Sequence, residues 1–111
     1  MENTQELLVQ YVNGIKEIYG THLAMVLLYG SYARGDFNEE SDIDIMILVD
    51  LQDGEIKEYA EKLSELTFEM NLQNDIMLMP MVKNIEHFEY WVRSYPFYGN
   101  VKSEGVTLYA A

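Results

Sequence analysis

The run His22-Leu-Ala-Met-Val-Leu-Leu-Tyr29, its end at Gly30-Ser31, and the segment Ser41-Asp42-Ile43-Asp44-Ile-Met-Ile-Leu-Val49 decide the fold. Residues 22–29 form a short, nearly continuous apolar stretch, the pattern of a strand covered on both faces, and it stops at a glycine. Residues 43–49 repeat the pattern with more β-branched side chains, which predicts a second interior strand. A polar turn joins the two.

Working outward, Leu7, Leu8, Tyr11, Val12, Ile15, Ile18 and Tyr19 recur at three- and four-residue spacings, so residues 4–19 are expected to form an amphipathic helix. Thr4 would cap it and Gly20 would stop it. Ile56, Tyr59, Ala60, Leu63, Leu66 and Met70 give residues 53–70 the same stripe, with Asp53 or Gly54 opening the helix. Asp75 to Val82 reads as a third strand, placed at an edge or bulge because Pro80 has no N–H for a ladder bond. Ile85, Phe88, Tyr90, Trp91 and Val92 suggest a short helix, and Pro96 begins a last one before the tail Val106 to Tyr109. The order helix, strand, strand, helix, strand, helix predicts a small α/β (α+β) domain, one mixed sheet flanked by helices.

The 111 residues, 49% hydrophobic, are expected to make one domain over 1–111. Cysteine is absent, which excludes disulfides and thiolate chemistry. No apolar run approaches the roughly 20 residues that span a bilayer, and Met1 to Glu6 is polar and acidic, unlike a signal peptide. A soluble, unprocessed cytoplasmic protein is the expectation, with no membrane association. The net charge of −12 sets nineteen acidic residues against seven basic ones and disfavours direct contact with nucleic acid. That acidity either solvates the surface or steers a basic protein partner.

Gly30-Ser31 at the end of one buried strand and Asp42 and Asp44 at the start of the next form a chemical constellation. Gly30 has no Cβ and lets a ligand approach its backbone; Ser31 offers a hydroxyl and an amide at the start of a turn, where the tail of a nucleoside triphosphate can sit. Residues two apart on a strand share a face about 6.5 Å apart, so Asp42 and Asp44 project together. Paired carboxylates in an apolar segment call for a cation, and Mg²⁺ prefers oxygen ligands shared with substrate phosphates. Two ions about 3.5–4 Å apart fit a phosphoryl or nucleotidyl transfer. Standing alone, Asp42-Ile43-Asp44 would better suit a turn cap and a solvated strand end than a site; the upstream Gly30-Ser31 reverses that balance. Arg34, three residues after Ser31, can reach phosphate oxygens, or it can pair with Asp36, Glu39 or Glu40.

Gly30-Ser31, ten residues, then Asp42-Ile43-Asp44 resembles the signature of the DNA polymerase beta nucleotidyltransferase superfamily, and Gly30-Ser-Tyr-Ala-Arg-Gly-Asp36 resembles its minimal nucleotidyltransferases. The resemblance runs nearly the whole chain, to Glu104-Gly-Val-Thr-Leu-Tyr109. It implies a palm-like fold, and a third carboxylate on a neighbouring strand, for which Asp75 is the candidate as metal ligand and proton acceptor; the lesser alternative is a strand-entry aspartate following Asn74. It also implies a HEPN-domain toxin as partner and transfer of AMP from ATP to a toxin tyrosine, which silences the ribonuclease. Two alternatives stay open: the same chemistry on a small acceptor such as an aminoglycoside brought by a separate subunit, or an antitoxin that acts by binding alone. His22 and His87 have no companions at ligand spacing and are assigned no role. Phe88, Tyr90, Trp91, Tyr95, Phe97 and Tyr98 suit a core or an interface better than a base-stacking platform, which leaves a homo-oligomer open.

Overall fold

The computed structural model describes residues 2–38 and 40–111, with side chains from Thr4 onward. Helix α1 (Glu2–Tyr19) leads through a 3-10 turn, Gly20–His22, into β1 (Leu23–Tyr29). A four-residue helix α2 (Ser31–Arg34) and a polar loop precede β2 (Ile43–Val49). The long helix α3 (Asp53–Asn74) crosses to β3 (Leu78–Asn84); α4 (Ile85–Trp91), α5 (Pro96–Glu104) and β4 (Val106–Ala110) follow.

The sheet runs β3-β2-β1-β4. β1 is antiparallel to both β2 and β4, whereas β2 and β3 are parallel, which is why a helix as long as α3 must join them. β1 and β2 are therefore the interior strands expected of the two apolar runs, and β3, with Pro80, lies at an edge.

Each strand of the central pair feeds two cores. Ile43, Ile45, Ile47 and Val49 pack with Leu7, Tyr11 and Ile15 of α1 and Leu63 and Met70 of α3. Met46 and Leu48 point the other way, to Leu27, Phe88, Tyr98 and Val101 under α4 and α5. At roughly 25 cal/mol per Å² of apolar surface, each fully buried Ile or Leu contributes about 2 kcal/mol before chain entropy is counted. α1 and α3 are also joined by a buried hydrogen bond of 2.7 Å between the Tyr11 hydroxyl and Thr67 Oγ1.

Several boundaries differ from the sequence expectation. α1 already includes Glu2, so Thr4 lies inside the helix and is not its cap. β1 starts at Leu23; His22 belongs to the preceding turn, and its Nδ1 pairs with Asp50 Oδ1 at 2.7 Å. α3 continues to Asn74 and ends on Asp75 in the left-handed conformation (φ 52°), so β3 begins at Leu78 and not at Asp75. The extra turn is held by Asn71, whose side chain accepts from the Leu78 N–H at 2.8 Å and donates to the Leu78 carbonyl at 3.4 Å, replacing a missing edge neighbour. The tail is a fourth strand, β4, on the free edge of β1.

Candidate active site

The site lies where β1 ends and β2 begins. Antiparallel register sets Tyr29 opposite Asp44, so Gly30 leaves β1 against the Asp44 carboxylate. Gly30 has φ 76° and ψ −155°, a conformation that L side chains rarely adopt, and a Cβ built there would collide with Asp44 Oδ2. The chain turns sharply there: the Ala33 and Arg34 amides both donate to the Gly30 carbonyl at 3.1 Å. That start leaves the Ser31 and Tyr32 amides ahead of the first helical bonds. Tyr32 stacks on Phe37 (4.2 Å between centroids, 7° between planes) and braces the loop that returns to β2.

Asp42 is exposed and Asp44 half-buried, flanking the buried Ile43. Both lie on the α4/α5 face of the sheet, since Met46, two residues further along the same face, is in that core. Burial pushes the Asp44 carboxyl above its ordinary range, the nearby charge of Asp42 pushes it further, and Arg34 partly offsets both. Tyr29 is likewise raised, by burial first and then by Asp44, so its phenol stays neutral. An all-oxygen pair that repels itself in a partly dry place suits a hard divalent cation, and Asp42 and Asp44 would hold it.

Arg34 is engaged on both sides: Nε donates to Asp36 Oδ2 at 3.2 Å and an Nη to Glu104 Oε2 at 3.1 Å. Glu104 and then Asp36 hold the guanidinium firmly charged. Asp36 is one of the partners expected of an exposed ion pair. Glu104 was not foreseen, because 70 residues separate it from Arg34 and no local pattern links them; Glu39 lies outside the described residues. Arg34 thus ties the turn after β1 to α5, and with Tyr29, Gly30, Phe97, Asn100 and Glu104 it lines a cleft beside the carboxylates. Phe97 leans edge-on against Tyr29 at 5.7 Å.

Asp75 is not brought to this place. It is exposed at the C-cap of α3, three residues before β3, and among the described residues no group of three or more His, Cys, Asp or Glu could hold a metal ion. The aromatic group divides: Phe88 and Tyr98 are core, while Trp91 stacks on Tyr95 (5.0 Å, 10°) and Tyr90, Tyr95 and Phe97 stay exposed. His87 is exposed beside Trp91 and Tyr98.

Residues 13–94 match the family Polymerase beta, Nucleotidyltransferase, and the chain belongs to that family. It is a nucleotidyltransferase. A Methanocaldococcus jannaschii protein provisionally named protein adenylyltransferase is 33% identical over 107 residues, spanning 96% of this chain and 99% of that protein. A second protein of that organism, with the same kind of provisional name, is 36% identical over 77 residues, 69% of this chain and 76% of the relative. Among solved structures, a chain of a mutant MntA–HpeT toxin–antitoxin complex superposes with TM-score 0.60 at 18% identity, covering 94% of this chain and 73% of that one. A chain from a tri-AMPylated Shewanella oneidensis HEPN toxin in complex with MNT antitoxin gives 0.55 at 18% identity, covering 96% and 72%. A toxin–antitoxin structure with AMP-PNP gives 0.57 at 20%, covering 92% and 73%. At these identities the structural likeness is one of fold.

Proposed function

We propose that this chain transfers AMP from ATP to a hydroxyl group of a partner protein, a HEPN-domain toxin whose tyrosine is the acceptor, and thereby acts as its antitoxin. The observation that carries the reading is the junction of β1 and β2, where Gly30 packs against Asp44 and the first turn of α2 opens beside the carboxylate pair. Relatives named for protein adenylylation, and structural neighbours from toxin–antitoxin complexes, support the acceptor class.

In this reading the Ser31 hydroxyl and the amides at the start of α2 grip the triphosphate tail, and Asp42 and Asp44 hold Mg²⁺. When bound, the cation neutralises charge on the phosphates and on the leaving pyrophosphate. The acceptor oxygen bonds to the α-phosphorus while the bond from that phosphorus to the bridging oxygen breaks, pyrophosphate leaves, and the hydroxyl proton passes to a carboxylate or to solvent. Gly30 keeps the nucleotide close to Asp44 because nothing projects between them. Arg34, anchored by Glu104 and Asp36, positions the turn and sets a positive charge beside the phosphates. The sheet and its two helix layers, over 1–111, make one catalytic domain that acts in the cytoplasm, and the acceptor arrives on the partner.

The test is co-expression with a HEPN partner and intact-mass analysis of that partner. Mass additions of whole AMP units that vanish with Asp42→Asn support the proposal. An unmodified partner that is still neutralised, by wild type and by Asp42→Asn alike, would establish an antitoxin that acts by binding alone.

A further inference from the structure

We infer that the β3 flank of the carboxylate pair is thioether where a further cation ligand would stand, so that this chain takes up its divalent cation together with the nucleotide and not before it. The inference rests on the proposed reading of Asp42 and Asp44 as cation ligands, and it concerns what stands next to them.

Parallel register places Asp44 level with Met79 and Ile43 level with Leu78. One step earlier, the Ile43 N–H donates to the Met77 carbonyl at 2.8 Å, which extends the pairing and sets Met77 level with Asp42. Residues level with one another on paired strands project to the same face. Burial obeys that alternation: Leu78 is 1% exposed on the α1/α3 side, whereas Met77 and Met79 are 50% and 46% exposed on the side of the carboxylates. The two β3 positions from which an acidic side chain would reach the pair therefore both carry methionine.

Thioether sulfur is neutral and soft, a poor donor for Mg²⁺ or Mn²⁺, which prefer oxygen. Met77 is also drawn to the sheet edge, where its sulfur lies 3.9 Å from the Asn71 side-chain nitrogen. On the opposite flank, the residue level with Asp44 is Tyr29, a phenol and not a carboxylate. Two carboxylates alone leave most of an octahedral shell to water, a weak site; the oxygens of a triphosphate supply the missing ligands when the nucleotide enters.

Equilibrium dialysis of Mn²⁺ against the full chain tests this, with and without a non-hydrolysable ATP analogue, counting the Mn²⁺ retained by protein. Wild type is expected to retain Mn²⁺ far better with the analogue. Met77→Asp or Met79→Asp is expected to tighten nucleotide-free Mn²⁺ binding at least about tenfold, because charge count sets such affinities, and Asp75→Asn to leave it unchanged. Both methionines are exposed, and circular dichroism is the check that the variants fold. Wild-type binding equally tight without the analogue, a loss with Asp75→Asn, or no gain in either folded aspartate variant would overturn the inference. No retention even with the analogue would instead overturn the reading of Asp42 and Asp44 themselves.

Discussion

At Gly30 two demands meet in one residue: a left-handed backbone at φ 76° and no atom between that backbone and the Asp44 carboxylate. Gly30→Ala is expected to cost about 1–3 kcal/mol of stability from backbone strain alone and to lower nucleotide transfer by about a hundredfold or more, as a misplaced carboxylate does. A thermal melt and a rate measurement on the same preparation check both; an Ala variant with wild-type rate would remove Gly30 from the site. Asp44 carries the opposite tension. Its folded carboxyl titrates above the ordinary range, so the ionised form is the costly one: its stability contribution is present below the unfolded pKa and lost as pH rises through the folded one. In chelator-treated protein at neutral pH, Asp44→Asn should therefore raise Tm, and the gain should shrink in acid. A fall in Tm would show that the carboxylate is stabilised by something other than a cation. The juxtaposition of Gly30, Asp42 and Asp44 was legible in the sequence because it is local, a strand end against a strand start. The engagement of Arg34 by Glu104 was not, since it needs the whole chain to fold back on itself.

The helix layer formed by α1 and α3 buries one satisfied and one unsatisfied hydroxyl. Tyr11 bonds Thr67, whereas the buried Tyr19 hydroxyl has no partner among the described residues and its ring packs on Tyr59 at 5.1 Å. Tyr11→Phe strands the Thr67 hydroxyl and should cost about 1–2 kcal/mol, while Tyr19→Phe should be neutral or stabilising, because it removes a desolvated group that gains nothing. Denaturant midpoints of the two variants separate these outcomes, and equal losses would contradict the account. Burial pushes both phenols up to about 12 from an ordinary value of 10.0, an effect that the Thr67 bond partly opposes at Tyr11 and the neighbouring Tyr59 reinforces at Tyr19. The folded state thus favours the neutral phenol, and this stability, intact below pH 10.0, is lost as pH rises towards about 12. A spectrophotometric titration should show these tyrosines ionising late, together with unfolding. Elements with strong periodicity were read correctly from sequence. The start of β3 was not, because the apolar pattern that begins at Ile76 does not reveal that α3 persists to Asn74 and turns through a left-handed Asp75. Nor was β4, whose five residues become a strand only because β1 offers a free edge.

For the molecule as a whole, the net charge of −12 bears on partners more than on fold. If the acceptor is carried by a basic protein, association should be fast at low ionic strength and slow steeply as salt rises through about 0.1–0.5 M, where the Debye length falls below roughly 10 Å. Stopped-flow association across that range is the check, and salt-independent rates would assign the acidity to solubility alone. The architecture suits a minimal enzyme: one mixed sheet, one helix layer behind it, and two short helices that cover only part of the face bearing Asp42 and Asp44. No helix in the described residues is long and apolar enough to cross a membrane. Nucleotidyl transfer at Asp42 and Asp44 is tested by transfer of radiolabelled α-phosphate from each of the four nucleoside triphosphates, with Mg²⁺, onto proteins of a native lysate or a co-expressed neighbour. Label from ATP is expected on one small partner protein, abolished by chelator and by Asp42→Asn; label that survives Asp42→Asn, or none from any triphosphate, would show that this pair does not carry the transfer.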